Sequence, residues 1–150
     1  MMQSQQEVLE LMPGRVINLH TSYLPYNRGS SPNFFSFLED TPKGVTIHLM
    51  SAGLDEGDIL CQRELHFDEE KETFASTYEA LLQEIEKLFR ENWQQIREGN
   101  IIPVKQAGPV TYHRMKDLDA IREKVDFDWN MKIGDFKRAY EKAMRKDENS

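Results

Sequence analysis

The sequence has very little cysteine and no long apolar run. Its 150 residues include one cysteine, Cys61, so no disulfide can form within the chain, and a reducing compartment is the simplest setting. No stretch approaches the roughly 18 apolar residues of a membrane-spanning helix. The first residues also lack the basic and apolar segments of a signal peptide. These absences predict a cytoplasmic location and no membrane partner.

Positive charge is also scarce. The chain has 19 Lys and Arg against 26 Asp and Glu, a formal net charge of −7. It therefore has no overall electrostatic attraction to a phosphate backbone, and a nucleic-acid partner is not expected. Its histidines, at positions 20, 48, 66 and 113, lack the close spacing of metal ligands, so we predict no metal site.

The pattern of apolar residues predicts a mixed α/β chain. The predicted strands are 15–20, 44–50 and 58–65, and the predicted helices are 5–12, 33–38, 73–98, 116–124 and 133–145. The strongest helix, 73–98, places apolar residues at steps of three and four along one face that should pack on a sheet. That face is Phe74, Tyr78, Leu81, Leu82, Ile85, Leu88, Phe89 and Ile96, and core packing is also expected for Trp93.

Two short segments carry residues that can do chemistry. Asn18 and His20 are two positions apart at the end of a predicted strand, so their side chains project to the same side. Asp55 lies in a loop bounded by Gly53 and Gly57 and has room to reach them. An amide can donate to a developing oxyanion, an imidazole can move protons, and a carboxylate can orient the imidazole and raise its pKa. The trio suits acyl transfer to an amine, although this spacing alone is more often structural.

Four motifs in order carry a more specific signal. They are Ile17–Pro25 (INLHTSYLP), Asn27–Gly29 (NRG), Gly44–His48 (GVTIH) and Gly53–Gly57 (GLDEG). Together they resemble the signature of the N10-formyltetrahydrofolate-dependent formyltransferases. The resemblance covers residues 5–66 most firmly, and the segment from Thr111 is most similar to the sugar-nucleotide N-formyltransferase branch.

The resemblance implies roles for the site residues. Asn18, His20 and Asp55 would be catalytic: Asn18 and protonated His20 would stabilise the oxyanion while Asp55 holds His20 and helps to take the amine proton. The donor would be N10-formyltetrahydrofolate. The residues expected near its pterin ring are Leu54, Glu56, Gly57 and Asp58.

The resemblance implies an amine as the acceptor, and among amines it favours that of a nucleotide-linked amino sugar. Arg28, in the loop after the first strand, and Tyr23 are the expected substrate-binding residues. Three alternatives stay open for the acceptor: methionyl-tRNA, glycinamide ribonucleotide, and water in a hydrolase.

The sequence departs from the family pattern at its front. Family members begin with a βαβ half, whereas this chain starts just before the catalytic strand. We therefore expect a partial Rossmann-like formyltransferase fold in 1–100, without that half, and an extended and helical C-terminal extension in 101–150. The exposed sheet edge this would leave predicts a homodimer or a complementing chain. A non-catalytic binding or dimerisation module is the alternative of a different class.

Overall fold

The computed structural model describes residues 3–149. The helices are α1 (Gln3–Leu11), α2 (Pro32–Leu38), α3 (Phe74–Arg97), α4 (Met115–Lys124) and α5 (Ile133–Glu148). The strands are β1 (Ile17–His20), β2 (Arg28–Gly29), β3 (Lys43–Leu49), β4 (Ile59–Leu65) and β5 (Tyr112–His113). None of the described helices is long and apolar enough to cross a membrane.

The central sheet has three antiparallel strands in the order β1-β3-β4. In the β1–β3 ladder Asn18 faces His48 and His20 faces Thr46. Because side chains alternate along a strand, these four polar residues share one face of the sheet. Within the described chain β1 forms an edge of this sheet, which leaves Leu19 40% exposed.

The opposite face of the sheet is covered by α3. Val45 and Ile47 of β3 are fully buried there against Leu81, Ile85 and Leu88 of the helix. The helix begins at a capping box, in which the side chains and main-chain N–H groups of Thr73 and Ser76 bond reciprocally.

The predicted buried face of α3 is too wide. Tyr78 is 45% exposed, Leu82 43% and Trp93 42%, so the expectation of core packing for these three is wrong. The helix residues that are buried follow steps of three and four and define a narrow stripe: Phe74, Thr77, Leu81, Ile85 and Leu88. Trp93 contacts Phe89 near the end of the helix, with ring centroids 5.2 Å apart, instead of entering the core.

An aromatic cluster joins helices that lie before and after position 100 in the chain. Its buried members are Phe34, Phe35 and Phe37 of α2, Phe74 of α3, Leu118 and Val125 at α4, and Ile133 and Phe136 of α5. Phe34 and Phe74 lie 5.3 and 5.6 Å from Phe136 between ring centroids, in edge-to-face geometry. Residues on both sides of position 100 therefore share one core.

A parallel pairing between β2 and β5 is absent from the sequence prediction. Arg28 pairs with Tyr112 and Gly29 with His113. Val104 also bridges to Ile59 at the start of β4. The stretch from Val104 to His113, called the strap below, thus runs from β4 to the loop after β1.

Candidate active site

Asn18, His20 and Asp55 lie together at the polar face of the sheet. The β1–β3 pairing places Asn18 and His20, and Asp55 comes from the β3–β4 loop with a left-handed backbone (φ 56°). Asp55 Oδ1 lies 3.4 Å from Asn18 Nδ2 and 3.6 Å from His20 Nδ1. Its Oδ2 accepts a 2.9 Å hydrogen bond from the Gly29 N–H, so the loop after β1 also helps to orient the carboxylate.

His48 is a fourth member of this cluster. Its Nδ1 lies 2.8 Å from the Leu49 carbonyl oxygen, which can only accept, so Nδ1 carries the proton. Its Nε2 then accepts from Asn18 Nδ2 at 3.2 Å and lies 3.8 Å from Asp55 Oδ1. Both amide protons of Asn18 are thereby directed, one at His48 and one at Asp55, which fixes the orientation of the amide.

The tautomer of His20 follows from the same reasoning. Its Nε2 lies 3.0 Å from the main-chain oxygen of Asn27, so Nε2–H donates to that carbonyl. In the neutral ring Nδ1 therefore carries the lone pair, and it faces Asp55. Asn27 is itself fully buried, with a left-handed φ of 60°, and its side chain donates to Thr41.

Burial decides the charge of His20. It lowers the pKa of the imidazole below its ordinary value of 6.5, although the Asp55 carboxylate and the Asn27 carbonyl act in the opposite direction. The raising effect of the carboxylate that the sequence predicts is therefore present, but burial outweighs it and the net pKa of His20 is lowered. The resting side chain is neutral at pH 7.

Asp55 stays ionised in this setting. Burial alone would raise its pKa, but the imidazoles of His48 and His20 in their protonated forms and the Gly29 N–H hold it below its ordinary value. The site thus pairs a carboxylate with a neutral imidazole whose unprotonated nitrogen is turned towards it.

A cleft of about 490 Å³ opens beside the cluster. It is lined by Asn18, His48, Met50, Ser51, Ala52, Gly53, Leu54, Asp55 and Tyr112. Of the predicted donor-binding residues only Leu54 is in this lining; Glu56, Gly57 and Asp58 are not. Tyr112 comes from β5, and no sequence motif marks it, because its place depends on the β2–β5 pairing.

Gly57 and Asp58 have local backbone roles. A Cβ at Gly57 would collide with the main-chain oxygen of Leu49, so only glycine fits against β3 there. Asp58 accepts from the Leu49 N–H through its main-chain oxygen at 2.9 Å. Glu56 is exposed and lies 4.0 Å from an Arg28 nitrogen.

Arg28 and Tyr23 are placed in the loop after β1. The Arg28 guanidinium donates from Nε and Nη2 to the side-chain oxygen of Gln106, at 3.2 and 2.8 Å. Tyr23 is half-buried, and its main-chain oxygen accepts from Tyr26 N–H. Gln106 went unrecognised in the sequence, where it stands in an extended polar stretch without a motif.

An α/β chain with an amide, an imidazole and a carboxylate converging at one strand end has the makings of an acyl-transfer site. The family model described as formyl transferase matches residues 5–92, more than half of the chain. The chain belongs to the formyl transferase family.

Solved and curated relatives give the same family. The crystal structure of the formyltransferase PseJ from Anoxybacillus kamchatkensis, in complex with UDP-4,6-dideoxy-4-formamido-L-AltNAc and tetrahydrofolate, is 45% identical with a TM-score of 0.80. The match covers 85% of this chain and 67% of PseJ, and it confirms the α/β formyltransferase fold with its helical C-terminal part.

Two curated relatives are shorter matches. A dTDP-4-amino-4,6-dideoxyglucose formyltransferase of Mycobacterium tuberculosis is 33% identical over 108 residues, 72% of this chain and 46% of that protein. A methionyl-tRNA formyltransferase of Anaeromyxobacter dehalogenans is 40% identical over 104 residues, 67% of this chain and 32% of that protein. The chain spans under half the length of these curated relatives.

Proposed function

We propose that this protein transfers a formyl group from N10-formyltetrahydrofolate to the amine of a nucleotide-linked amino sugar. The observation that carries the proposal is the cluster of Asn18, His20 and Asp55 beside one cleft, which Asn18 and Asp55 themselves line. The likeness to PseJ, whose structure holds a formamido UDP-sugar and tetrahydrofolate, supports the choice of donor and acceptor.

The donor fits the cleft in size and chemistry. A cleft of about 490 Å³ is within the ordinary range for small-molecule sites, roughly 300–1,000 Å³. The loop from Met50 to Asp55 would hold the donor, with Leu54 as an apolar contact and main-chain groups as hydrogen-bonding partners. When bound, the donor supplies an activated formyl group.

The site residues then divide the proton chemistry between them. The acceptor nitrogen bonds to the formyl carbon, the bond from that carbon to the folate nitrogen breaks, and the proton lost by the amine ends on the folate nitrogen. Neutral His20 can take this proton at Nδ1, because its Nε2–H is held by the Asn27 carbonyl. Asp55 stabilises the imidazolium that results. The Asn18 amide gives up its long 3.4 Å contact with Asp55 and donates that proton to the oxygen on which negative charge develops.

Arg28 and Tyr23 are proposed to contact the acceptor. Gln106 orients the Arg28 guanidinium by accepting from its Nε and Nη2. The Nη1 side of the guanidinium is then available to a phosphate or carboxylate. Glu56 at 4.0 Å partly offsets its charge.

A tRNA acceptor is the second candidate, because methionyl-tRNA formyltransferases are among the relatives at 30% identity or more. The net charge of −7 weighs against it. A partner-dependent module without turnover is the third, and the edge position of β1 is the surface on which a second copy or a complementing chain would add.

The testing experiment incubates the protein with N10-formyltetrahydrofolate and UDP- or dTDP-linked amino sugars, with formylmethionyl-tRNA formation assayed in parallel, and identifies formamide products by mass spectrometry. Asn18→Ala should slow transfer about 10²- to 10³-fold, the usual cost of a lost oxyanion donor. His20→Ala and Asp55→Asn should abolish it with little loss of fold.

A thermal melt with folinic acid separates the remaining outcomes. At a hundredfold excess over Kd the ligand should raise the melting temperature by about 5–10 °C. A shift without any transfer would favour the partner-dependent module, and normal turnover by His20→Ala would reject the assigned site.

A further inference from the structure

We propose that Gln106 is a positioning residue for this reaction, holding the Asp55 loop and Arg28 in one arrangement. The proposal rests on the proposed function. The Gln106 side-chain nitrogen donates to the main-chain oxygens of Asp55 and Gly57, both at 2.8 Å. Its oxygen accepts from the Arg28 guanidinium at 2.8 and 3.2 Å.

Both sides of Asp55 are controlled by this one amide. On the main-chain side, Gln106 holds the carbonyl of a residue whose left-handed φ of 56° sets the direction of its side chain. On the side-chain side, Gln106 holds Arg28, and the next residue, Gly29, donates its N–H to the carboxylate. Loss of the amide would therefore loosen both the Asp55 main chain and the Gly29 N–H that orients the Asp55 carboxylate.

The strap supplies a fixed base for Gln106. Two residues earlier, Val104 and Ile59 exchange main-chain hydrogen bonds of 2.7 and 2.9 Å. Further along, Thr111 accepts the Arg28 N–H through its main-chain oxygen at 2.9 Å and the Asn27 N–H through its hydroxyl at 2.6 Å. Gln106 thus lies between two anchored points of the strap, and its side chain spans the gap between the two catalytic loops.

Only a glutamine-like amide suits these four partners. Two carbonyls require two donors, and a guanidinium requires an acceptor with two lone pairs. A glutamate of the same shape would keep the Arg28 contact but turn carboxylate oxygens towards two carbonyl oxygens. A lysine would face the carbonyls correctly but repel Arg28. The isosteric Gln106→Glu change is therefore a sharper test than a deletion of the side chain.

The test compares Gln106→Glu and Gln106→Met with Gln83→Met, which alters an exposed glutamine of α3. Each full-length variant is measured for formyl transfer, for folinic acid binding by calorimetry, for melting temperature and for amide hydrogen exchange. Exchange of the Gly29 N–H, which donates to Asp55 Oδ2, should rise about tenfold in both Gln106 variants, while exchange in α3 stays unchanged. The kcat should fall on the order of 10²-fold, the usual cost of a small misplacement of catalytic groups.

The exchange measurement does not depend on turnover, so it separates the two proposals. Unchanged exchange of the Gly29 N–H in both Gln106 variants overturns the positioning role, whatever the activity. If exchange rises but the unaltered protein transfers no formyl group to any acceptor, the proposed function fails while the structural role of Gln106 stands. An equal fall in kcat in Gln83→Met would also overturn the positioning role. So would a fall in the melting temperature of the Gln106 variants large enough to unfold them at the assay temperature.

Discussion

At the scale of the residue, two opposing effects on the pKa of His20 decide its charge state. Burial favours the neutral ring, and the Asp55 carboxylate at 3.6 Å favours the charged one. The neutral form prevails at rest, yet the carboxylate is placed where it stabilises the charge once a proton arrives. The same geometry that keeps His20 available as a base therefore prepares the site for the charged state.

This balance predicts the titration of His20. Its pKa should lie below 6.5, and Asp55→Asn should lower it further, because the carboxylate is an influence that raises it. Imidazole resonances followed by NMR against pH test both statements. A His20 pKa above 6.5, or one that rises in Asp55→Asn, would contradict the described electrostatics.

The lowered pKa also has a consequence for stability. The unfolded chain binds a proton at His20 more readily than the folded chain does. The contribution of this group to the free energy of unfolding is therefore complete above about pH 6.5 and is lost as the pH falls through the folded-state pKa.

At the scale of the element, α3 depends on its first turn. The capping box of Thr73 and Ser76 satisfies main-chain N–H groups that have no partner within the helix. Thr73→Ala should lower the free energy of unfolding by about 1 kcal/mol. Urea unfolding measures this, and Gln83→Ala, on the exposed face of the same helix, should stay within about 0.5 kcal/mol of the parent. Equal effects of the two changes would show that the cap does not stabilise the helix.

The sequence predicted most elements because local periodicity and turn residues determine them. It also indicated Asn18, His20 and Asp55, since strand alternation and a glycine-bounded loop are local signals. Gln106 and Tyr112 were missed because their places depend on pairing with residues far away in the chain. Trp93 was misplaced because periodicity gives the direction of a helix's apolar face but not how much of its width a neighbouring element covers.

At the scale of the whole molecule, the aromatic cluster packs the C-terminal helices α4 and α5 against α2 and the start of α3. Phe136 is fully buried against Phe34 of α2 and Phe74 of α3. Phe136→Ala should therefore lower the free energy of unfolding by about 3–5 kcal/mol. The loss should be seen in one cooperative transition reported equally by circular dichroism and by tryptophan fluorescence.

The half-exposed Trp129 provides the control for this prediction, because Trp129→Phe should change stability far less than Phe136→Ala. Two separate transitions, with the sheet and α3 unfolding as in the parent protein, would show instead that the C-terminal helices fold as an independent unit.

The strap also sets an order of events during synthesis. Asn27 donates to Thr111, which follows it by 84 positions. The Asp55 main-chain oxygen gains its bond from Gln106 only when that residue, 51 positions later, has been made. At roughly 5–20 residues per second, the ribosome needs about 4–17 seconds to make the stretch between Asn27 and Thr111. Throughout that interval the nascent chain already carries Asn18 and His20 without the segment that orders their neighbours. A ribosome stalled before position 104 would therefore present a chain that has its chemical groups but lacks an assembled site.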